Sequence, residues 1–396
     1  RAKSDLSFIK TIILLDGDGS KDELLFKNLI QTSKGSFRME ETIDLANQVA
    51  VICNSSGTTG LPKGVMISQE NCRTLLSYGG DSDLFHMEPV ETVPVMIPFF
   101  HIYGFFVMIS SLYWGCTVII FNQFNANVFL KTVQSNKVKQ LCLVPSLIRF
   151  LISNPLVDRY DLSSVKHIYT GGSPLSDEDK KMLYNRLKIE TIRQAYGCTE
   201  IIGLAVMTPR DGQTPKGSAG KLIRGRELKI VDPETQKKLG VNQQGEICIK
   251  GGVMIGYIND VEKSKEVVDS DGFLHTGDLG YCDNEGYIYI VGRIKEMIKY
   301  NSFQVSPVEL ENILMTHPAI EDVAIVGKPD QRTGEVAMGF VVKKQGVKLT
   351  EDEVFEYLSR FVCSDKWLYG GVKFLDNIPR NAAGKILRKQ LQQLML

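Results

Sequence analysis

The chain has 396 residues, 43% of them hydrophobic and 23% charged, the composition of a globular protein too long for a single core. Lysine plus arginine equals aspartate plus glutamate at 46 each, for zero formal net charge, so nothing favours a generic attraction to nucleic acid or anionic membrane. The 8 cysteines are scattered without a Cys-x-x-Cys pair and read as reduced thiols rather than disulfides or a zinc site.

Residue 1 is Arg, no signal-like segment follows it, and the first methionine is Met39; the sequence reads as a piece of a longer chain. Thr11–Leu15 is a short apolar strand, and Gln48–Cys53 leads into Asn54-Ser55-Ser56-Gly57-Thr58-Thr59-Gly60-Leu61-Pro62-Lys63-Gly64. Val65–Ile67 reads as a strand and Val93–Ile97 as another. Ile102–Phe121 carries no charge and is long enough on paper to span a bilayer. Gly104 and Gly115 divide it, however, so it reads as a buried helix, Gly104–Tyr113, then a strand, Thr117–Phe121. A helix at Ala126–Val133, a strand at Gln140–Val144 and a helix opened by Pro145 follow. Val165–Thr170 is a strand, Asp177–Leu187 an amphipathic helix and Thr191–Tyr196 a strand. This alternation indicates an α/β fold with mainly parallel, helix-covered sheets, in which ligands bind beyond the carboxyl ends of the strands.

After residue 205 the texture changes to short strands and glycine turns: Glu227–Val231, Glu246–Lys250 and Gly286–Val291. That marks a β-rich subdomain over 206–291. A boundary near 291–293 then separates a large domain, 1–291, from a small α+β module, 292–396. The module holds helices at Pro307–Met315 and Glu351–Phe361, strands at Val323–Gly327 and Met338–Val342, and a tail ending in a final helix.

Several groups could do chemistry. The loop at 54–64 offers glycines, hydroxyls and Lys63 to a polyphosphate. It is no Walker A loop, because Lys63 is followed by Gly64 and a strand; a polar hairpin is the plainer alternative. At Tyr196-Gly197-Cys198-Thr199-Glu200 a base could stack on the tyrosine and the glutamate could hold Mg²⁺; a strand end with a solvated acid is the other option. Gly171-Gly172-Ser173-Pro174 is a turn that lets a ligand lie against backbone, or a connector. Asp278 could accept both ribose hydroxyls or serve as a turn residue. Arg293 could reach the nucleotide or pair with an acid. His101, among aromatics, is a core histidine or the wall of an acyl pocket. Lys385, in a flexible tail, is a surface lysine unless the tail brings its charge to a reacting phosphate.

Taken in order, the loop at 55–64, Tyr196–Glu200, Gly245–Gly251, Tyr257, His275–Asp278 and Gly384-Lys385 form one motif set. With it the chain resembles the adenylate-forming acyl-CoA synthetases over essentially its whole length, particularly the branch of 4-coumarate–CoA ligases and beetle luciferases. The resemblance implies a two-step ligase: a carboxylic acid, aromatic or fatty, attacks the α-phosphate of MgATP, and CoA then displaces AMP from the acyl-adenylate. It implies that Ser55, Ser56, Gly57, Thr58, Thr59, Gly60 and Lys63 hold the β- and γ-phosphates. Tyr196 and Gly197 pack at the adenine, Thr199 contacts the α-phosphate, Glu200 binds magnesium, and Asp278 with Arg293 binds ribose. Lys385 binds the acid and the α-phosphate in the first transition state. His101, Tyr103, Phe106, Gly171, Gly172, Ser173 and Gly203–Ala205 line the acyl pocket, and Lys299 borders the CoA channel. The C-terminal module would rotate about Gly292-Arg293 as a lid.

Where relatives often carry Asp at the hinge this chain has Gly292, and after Lys299-Tyr300 their Lys-Gly is replaced by Asn301-Ser302, which bears on CoA transfer. Beetle luciferases carry an arginine where Leu75 aligns and a serine where Gly203 aligns; both differences count against light emission. A luciferin-oxidising monooxygenase and an inactive nucleotide-binding fragment remain the alternatives, and oligomeric state stays open. Relatives extend further before Arg1. Many end in a peroxisomal Ser-Lys-Leu address, whereas this chain ends Leu394-Met395-Leu396 without the basic residue. Peroxisome is therefore the expectation by resemblance and cytoplasm the alternative.

Overall fold

The computed structural model describes residues 11–15, 17, 23–32, 44–55, 63–301, 303–381 and 384–395. The chain divides into compact units at Asp44 and Leu45. In the first, Ile12–Leu14 pairs in parallel with Glu23–Leu25, which runs into helix Phe26–Thr32.

The second unit is organised by a sheet of 9 strands. Gln140–Leu143, His167–Thr170 and Thr191–Tyr196 lie parallel and in register, so that Leu143, Thr170 and Gln194 fall on one line. Their carboxyl ends therefore release three loops side by side. The other edge of Thr191–Tyr196 pairs antiparallel with Val206–Met207. From there the sheet continues antiparallel through Gly220–Leu222, Tyr287–Arg293, Leu274–Cys282, Gly245–Lys250 and Glu227–Val231. Parallel pairing thus belongs to the α/β half, and the segment after 205 is the β-rich part that its glycine turns announce.

This sheet is not flat. The Tyr196 hydroxyl donates to Asp278 Oδ2 at 2.8 Å, yet their strands are four places apart in the sheet order. At about 4.8 Å per strand a flat sheet would hold them far beyond reach. The antiparallel half curls back on itself, and Val206, Ala219, Ile230, Ile247, Ile249, Leu274 and Ile288 fill its concave side.

The glycine-rich segment joins a hairpin, Val49–Ser55 with Lys63–Ser68, in which Ser55 opposes Lys63. The hairpin reading is met at its base, and residues 56–62 of the loop lie outside the described residues. Gly256–Tyr257 adds a third strand beside Lys63–Ser68. Helix Gln69–Gly80 follows, capped by Ser68 accepting from the Asn71 N–H. The uncharged run resolves into helix Ile102–Tyr113 and strand Thr117–Ile120, and among the described residues no helix is long and apolar enough to cross a membrane. Further along, Ile320–Asp330 and Gly334–Lys343 form a long hairpin, joined by Val372–Phe374 and covered by helices Pro307–Leu314 and Glu351–Ser359 around their own core. The 8 cysteines are all free thiols.

One glycine makes a test of the packing. A Cβ on Gly104 would stand 2.3 Å from the Pro98 carbonyl oxygen, which is backbone and cannot swing aside. Glycine to alanine inside a helix ordinarily stabilises by about 1 kcal/mol. Gly104→Ala is expected to destabilise instead, by about 1–3 kcal/mol, read as a lower denaturant midpoint. An unchanged or higher midpoint refutes the contact.

Candidate active site

Two loops from the carboxyl ends, one helix and one distant residue enclose a cleft. Gly171 and Gly172 follow the strand His167–Thr170, Gly197, Cys198 and Thr199 follow Thr191–Tyr196, and helix Ile102–Tyr113 contributes Ile102, Tyr103 and Phe106 with its capping residue His101. Lys385, from the C-terminal tail, lines the same cleft, which holds about 590 Å³ of empty space with its open mouth included. Leu75, Phe85, Ile202 and Leu204 make the remaining wall apolar, with Gly203 among them.

Beside the cleft, one ring connects two motifs. The Tyr257 hydroxyl donates to Glu200 Oε1 at 2.9 Å, and Lys63 Nζ stands 4.8 Å from the centre of the same ring, a cation–π distance. The lysine at the base of the glycine-rich hairpin and the acid of the Tyr196–Glu200 motif are thereby neighbours. Burial and then the Glu200 charge push the Tyr257 phenol up, so it keeps its proton and donates. The second oxygen of Glu200 offers a hard donor; one carboxylate completed by substrate phosphates is a common way to hold Mg²⁺.

Behind the cleft lies an ion pair. Asp278, 5% exposed, faces Arg293 across the strand pair, with Arg293 Nε 3.1 Å from Oδ1 while Tyr196 holds Oδ2. Burial pushes the Asp278 carboxyl up, opposed first by the Arg293 charge, and Asp278 in turn raises Arg293. Glu246 braces the motif from below: Oε1 accepts the Gly277 N–H at 3.0 Å and Oε2 lies 2.9 Å from His275 Nδ1. Cys248 adds a thiol near His275, and the three carry metal-ligand atoms within 4.8 Å of one another. Burial pushes that thiol up to about 12 and Glu246 is already hydrogen-bonded on both oxygens, so the group serves as a brace for the first half of strand Leu274–Cys282.

Lys385 is tied into its turn. Its N–H donates to Asn381 Oδ1 at 2.9 Å, and Asn381 N–H donates back to the Lys385 carbonyl at 2.9 Å. Burial first and the Arg293 charge second lower the pKa of its ammonium, with Cys198, Asp278 and Glu200 opposing. His101 Nδ1 accepts the Tyr103 N–H at 3.2 Å, which places its ring proton on Nε2. Burial, then the charge of Lys385, lower its pKa to about 4.

The structure therefore brings His101, Gly172, Gly197, Thr199 and Lys385 to one cleft, with Lys63, Glu200, Tyr196, Asp278 and Arg293 around it. Ser55 sits opposite Lys63 at the hairpin base, while Ser56, Gly57, Thr58, Thr59 and Gly60 lie outside the described residues. Ser173 and Ala205 are not part of the lining. Lys299 is exposed on strand Ile298–Tyr300, its N–H donating to Glu335 Oε2 at 2.9 Å, and does not line the cleft either. Sequence reasoning missed Phe85, Ile102 and Ile202. Phe85 packs at 4.7 Å from Phe106 and 4.9 Å from Tyr169, ring centre to ring centre, and no local pattern marks it.

Residues 1–258 match the family of AMP-binding enzymes, and residues 309–385 match the AMP-binding enzyme C-terminal domain. The chain belongs to the AMP-binding enzyme family. This AMP-binding enzyme is 38% identical over 395 residues to luciferin 4-monooxygenase of Nipponoluciola cruciata, covering 98% of its own length and 72% of that protein. It is also 38% identical over 389 residues to 4-coumarate–CoA ligase 1 of Petroselinum crispum, at 96% and 71% coverage. Among solved structures it is similar to ATP-bound MatB from Rhodopseudomonas palustris, with a TM-score of 0.82 and 28% identity over 90% of this chain and 70% of that one. It is thus an adenylate-forming enzyme of the branch that holds luciferases and 4-coumarate–CoA ligases.

The environment of His101 fixes a pH response. Folding depresses its pKa to about 4, so as pH falls below the unfolded value of about 6.5 the unfolded chain takes up a proton that the folded chain refuses. Stability is lost through that window and not above it. His101→Asn, which retains a capping acceptor, is expected to flatten this part of the stability–pH curve, measured by denaturation between pH 7 and 4. An unaltered slope refutes the assignment.

Proposed function

We propose that this AMP-binding enzyme activates an apolar carboxylic acid, aromatic or medium-to-long aliphatic, as its acyl-adenylate and passes the acyl group to CoA. The observation that carries the reading is the presence of Lys385 in the cleft with Thr199 and His101, although it comes from the far end of the chain.

In the first step an acid oxygen attacks the α-phosphorus of ATP, a new P–O bond forms, and pyrophosphate leaves. Lys385 is partly desolvated and its proton is held less tightly than in water. A carboxylate and a phosphate arriving beside it restore that hold, so the ammonium gains most where negative charge converges. In this reading Lys63, next to Tyr257, serves the leaving group, and Asp278 with Arg293 receives the ribose hydroxyls. Mg²⁺ bound through Glu200 would neutralise phosphate charge during the transfer. The neutral His101, with Nδ1 capping the helix, forms the wall near the acid. In the second step the CoA thiol attacks the acyl carbonyl and AMP departs; support for this step comes from the 4-coumarate–CoA ligase relatives. Residues 292–396 act in this reading as a lid.

A luciferin-oxidising activity is the second reading, favoured by relatives of equal identity. Leu75 and Gly203 count against it, because both face the cleft where light-emitting relatives place arginine and serine. Light from D-luciferin, ATP and oxygen would decide for it.

Acid-dependent exchange of pyrophosphate into ATP tests the first step. Lys385→Ala is expected to lower the exchange rate by roughly 10²–10³-fold with a smaller change in KM for ATP. Absence of exchange in the parent chain with every acid offered, alongside ATP binding, would establish a non-catalytic nucleotide-binding protein instead. Lys63→Ala is expected to weaken ATP use in this step while sparing thioester formation from supplied acyl-adenylate; equal loss in both contradicts the assignment of Lys63 to the leaving group.

A further inference from the structure

What holds Lys385 in the cleft is a question the active-site residues do not answer. Its turn packs beside helix Pro145–Ser153: a Cβ placed on Gly384 would stand 4.0 Å from Ser146 Oγ. One turn along the same helix face is Arg149. Its Nε is buried and has no hydrogen-bond partner among the described residues. It lies 3.5 Å from Asp179 Oδ2, and Arg149 Nη1 lies 3.9 Å from Asp322 Oδ1.

Asp322 comes from the strand Ile320–Asp330, where the pairing register shifts between Ile320 and Asp322; such irregularities re-aim a side chain. Its carboxylate accepts both Arg380 Nη2 contacts, at 2.8 Å and 3.0 Å, and Oδ1 also accepts the Val323 N–H at 3.0 Å. Arg380 in turn donates from Nη1 to the Gly384 carbonyl at 2.9 Å. One carboxylate is thus shared between a guanidinium that braces the Lys385 turn and a guanidinium on the helix the turn rests on. The Arg380 contact is close and forked, the strong geometry for such a pair. The Arg149 contact is long, and it joins this group of charges to a helix before residue 292.

We propose that Arg149 and Asp322, acting through Arg380, are positioning residues that latch the Lys385 turn onto helix Pro145–Ser153 for the adenylation step, an inference that rests on the function proposed above. Neither side chain lines the cleft, so the latch acts on how often Lys385 is in place and not on nucleotide contacts.

The full chain, Arg149→Gln and Arg149→Lys are compared by acid-dependent pyrophosphate–ATP exchange and by amide hydrogen exchange. Arg149→Gln is expected to lower kcat about tenfold with KM for ATP within about twofold, and Arg149→Lys to recover most of the loss. Amides of Gly384–Arg388 are expected to exchange about tenfold faster in Arg149→Gln, with strand Ile320–Asp330 unchanged. Wild-type kcat in Arg149→Gln, a loss carried by KM, or amides of the Lys385 turn that exchange at the parent rate would each overturn the latch. If the parent chain itself supports no exchange, the functional reading fails; the amide measurement then decides alone whether Arg149 holds the turn.

Discussion

The Tyr196–Asp278 hydrogen bond is the constraint on which the rest of the molecule depends. It joins strands that a flat sheet would keep apart, so it forms only because the antiparallel half of the sheet curls back toward the parallel half. Once it forms, Tyr196 and Arg293 are joined through one buried carboxylate, that of Asp278. The curl places a filled apolar interior directly beneath that unit. The phenol and the guanidinium offset the cost of burying a carboxylate, which unpaired would be several kcal/mol.

From this centre the cleft is assembled by two different means. The parallel strands contribute through alignment alone, because strands in register end together and release their loops at one edge. The hairpin contributes through Tyr257, whose ring and hydroxyl face different partners, Lys63 and Glu200. The C-terminal tail follows neither rule. It enters from a separate core and is held by charge, with Arg388 pairing with Glu296 and Glu311 on one side of Lys385 and Arg380 pairing with Asp322 on the other. Apolar packing fixes the parts that stay still, and ion pairs, whose strength responds to water and salt, hold the part that reaches furthest.

Much of this was legible in the sequence wherever function imposes a local pattern. Thr191–Tyr196 and Asp177–Leu187 have the bounds that their periodicity predicts, and among the described residues Lys63, Glu200 and Tyr257 of the motif set meet, as do Tyr196 and Asp278. The curl was not legible, because Tyr196 and Asp278 are distant in sequence and no local propensity encodes their pairing. Helix Gln69–Gly80 was also missed. Its buried face, Asn71, Leu75, Tyr78 and Gly79, mixes a polar residue and a glycine into the apolar stripe, and Gly79-Gly80 reads as a breaker. The glycines serve instead to admit Trp114, whose ring atom would stand 2.2 Å from a Cβ on Gly80. Lys299, which resemblance assigns to the CoA channel, is exposed on its strand outside the cleft.

Gly203 carries a consequence for how such enzymes diverge. Its φ of +87° is a conformation that residues with side chains adopt rarely, and a Cβ there would press on Ile102 at 3.2 Å. A serine at this position, as in light-emitting relatives, would be strained on the present backbone. Exchange between the two chemistries is therefore not a matter of independent substitutions in any order. A serine here needs the 197–205 loop or the Ile102 side chain to give way, so its cost depends on what stands at neighbouring positions.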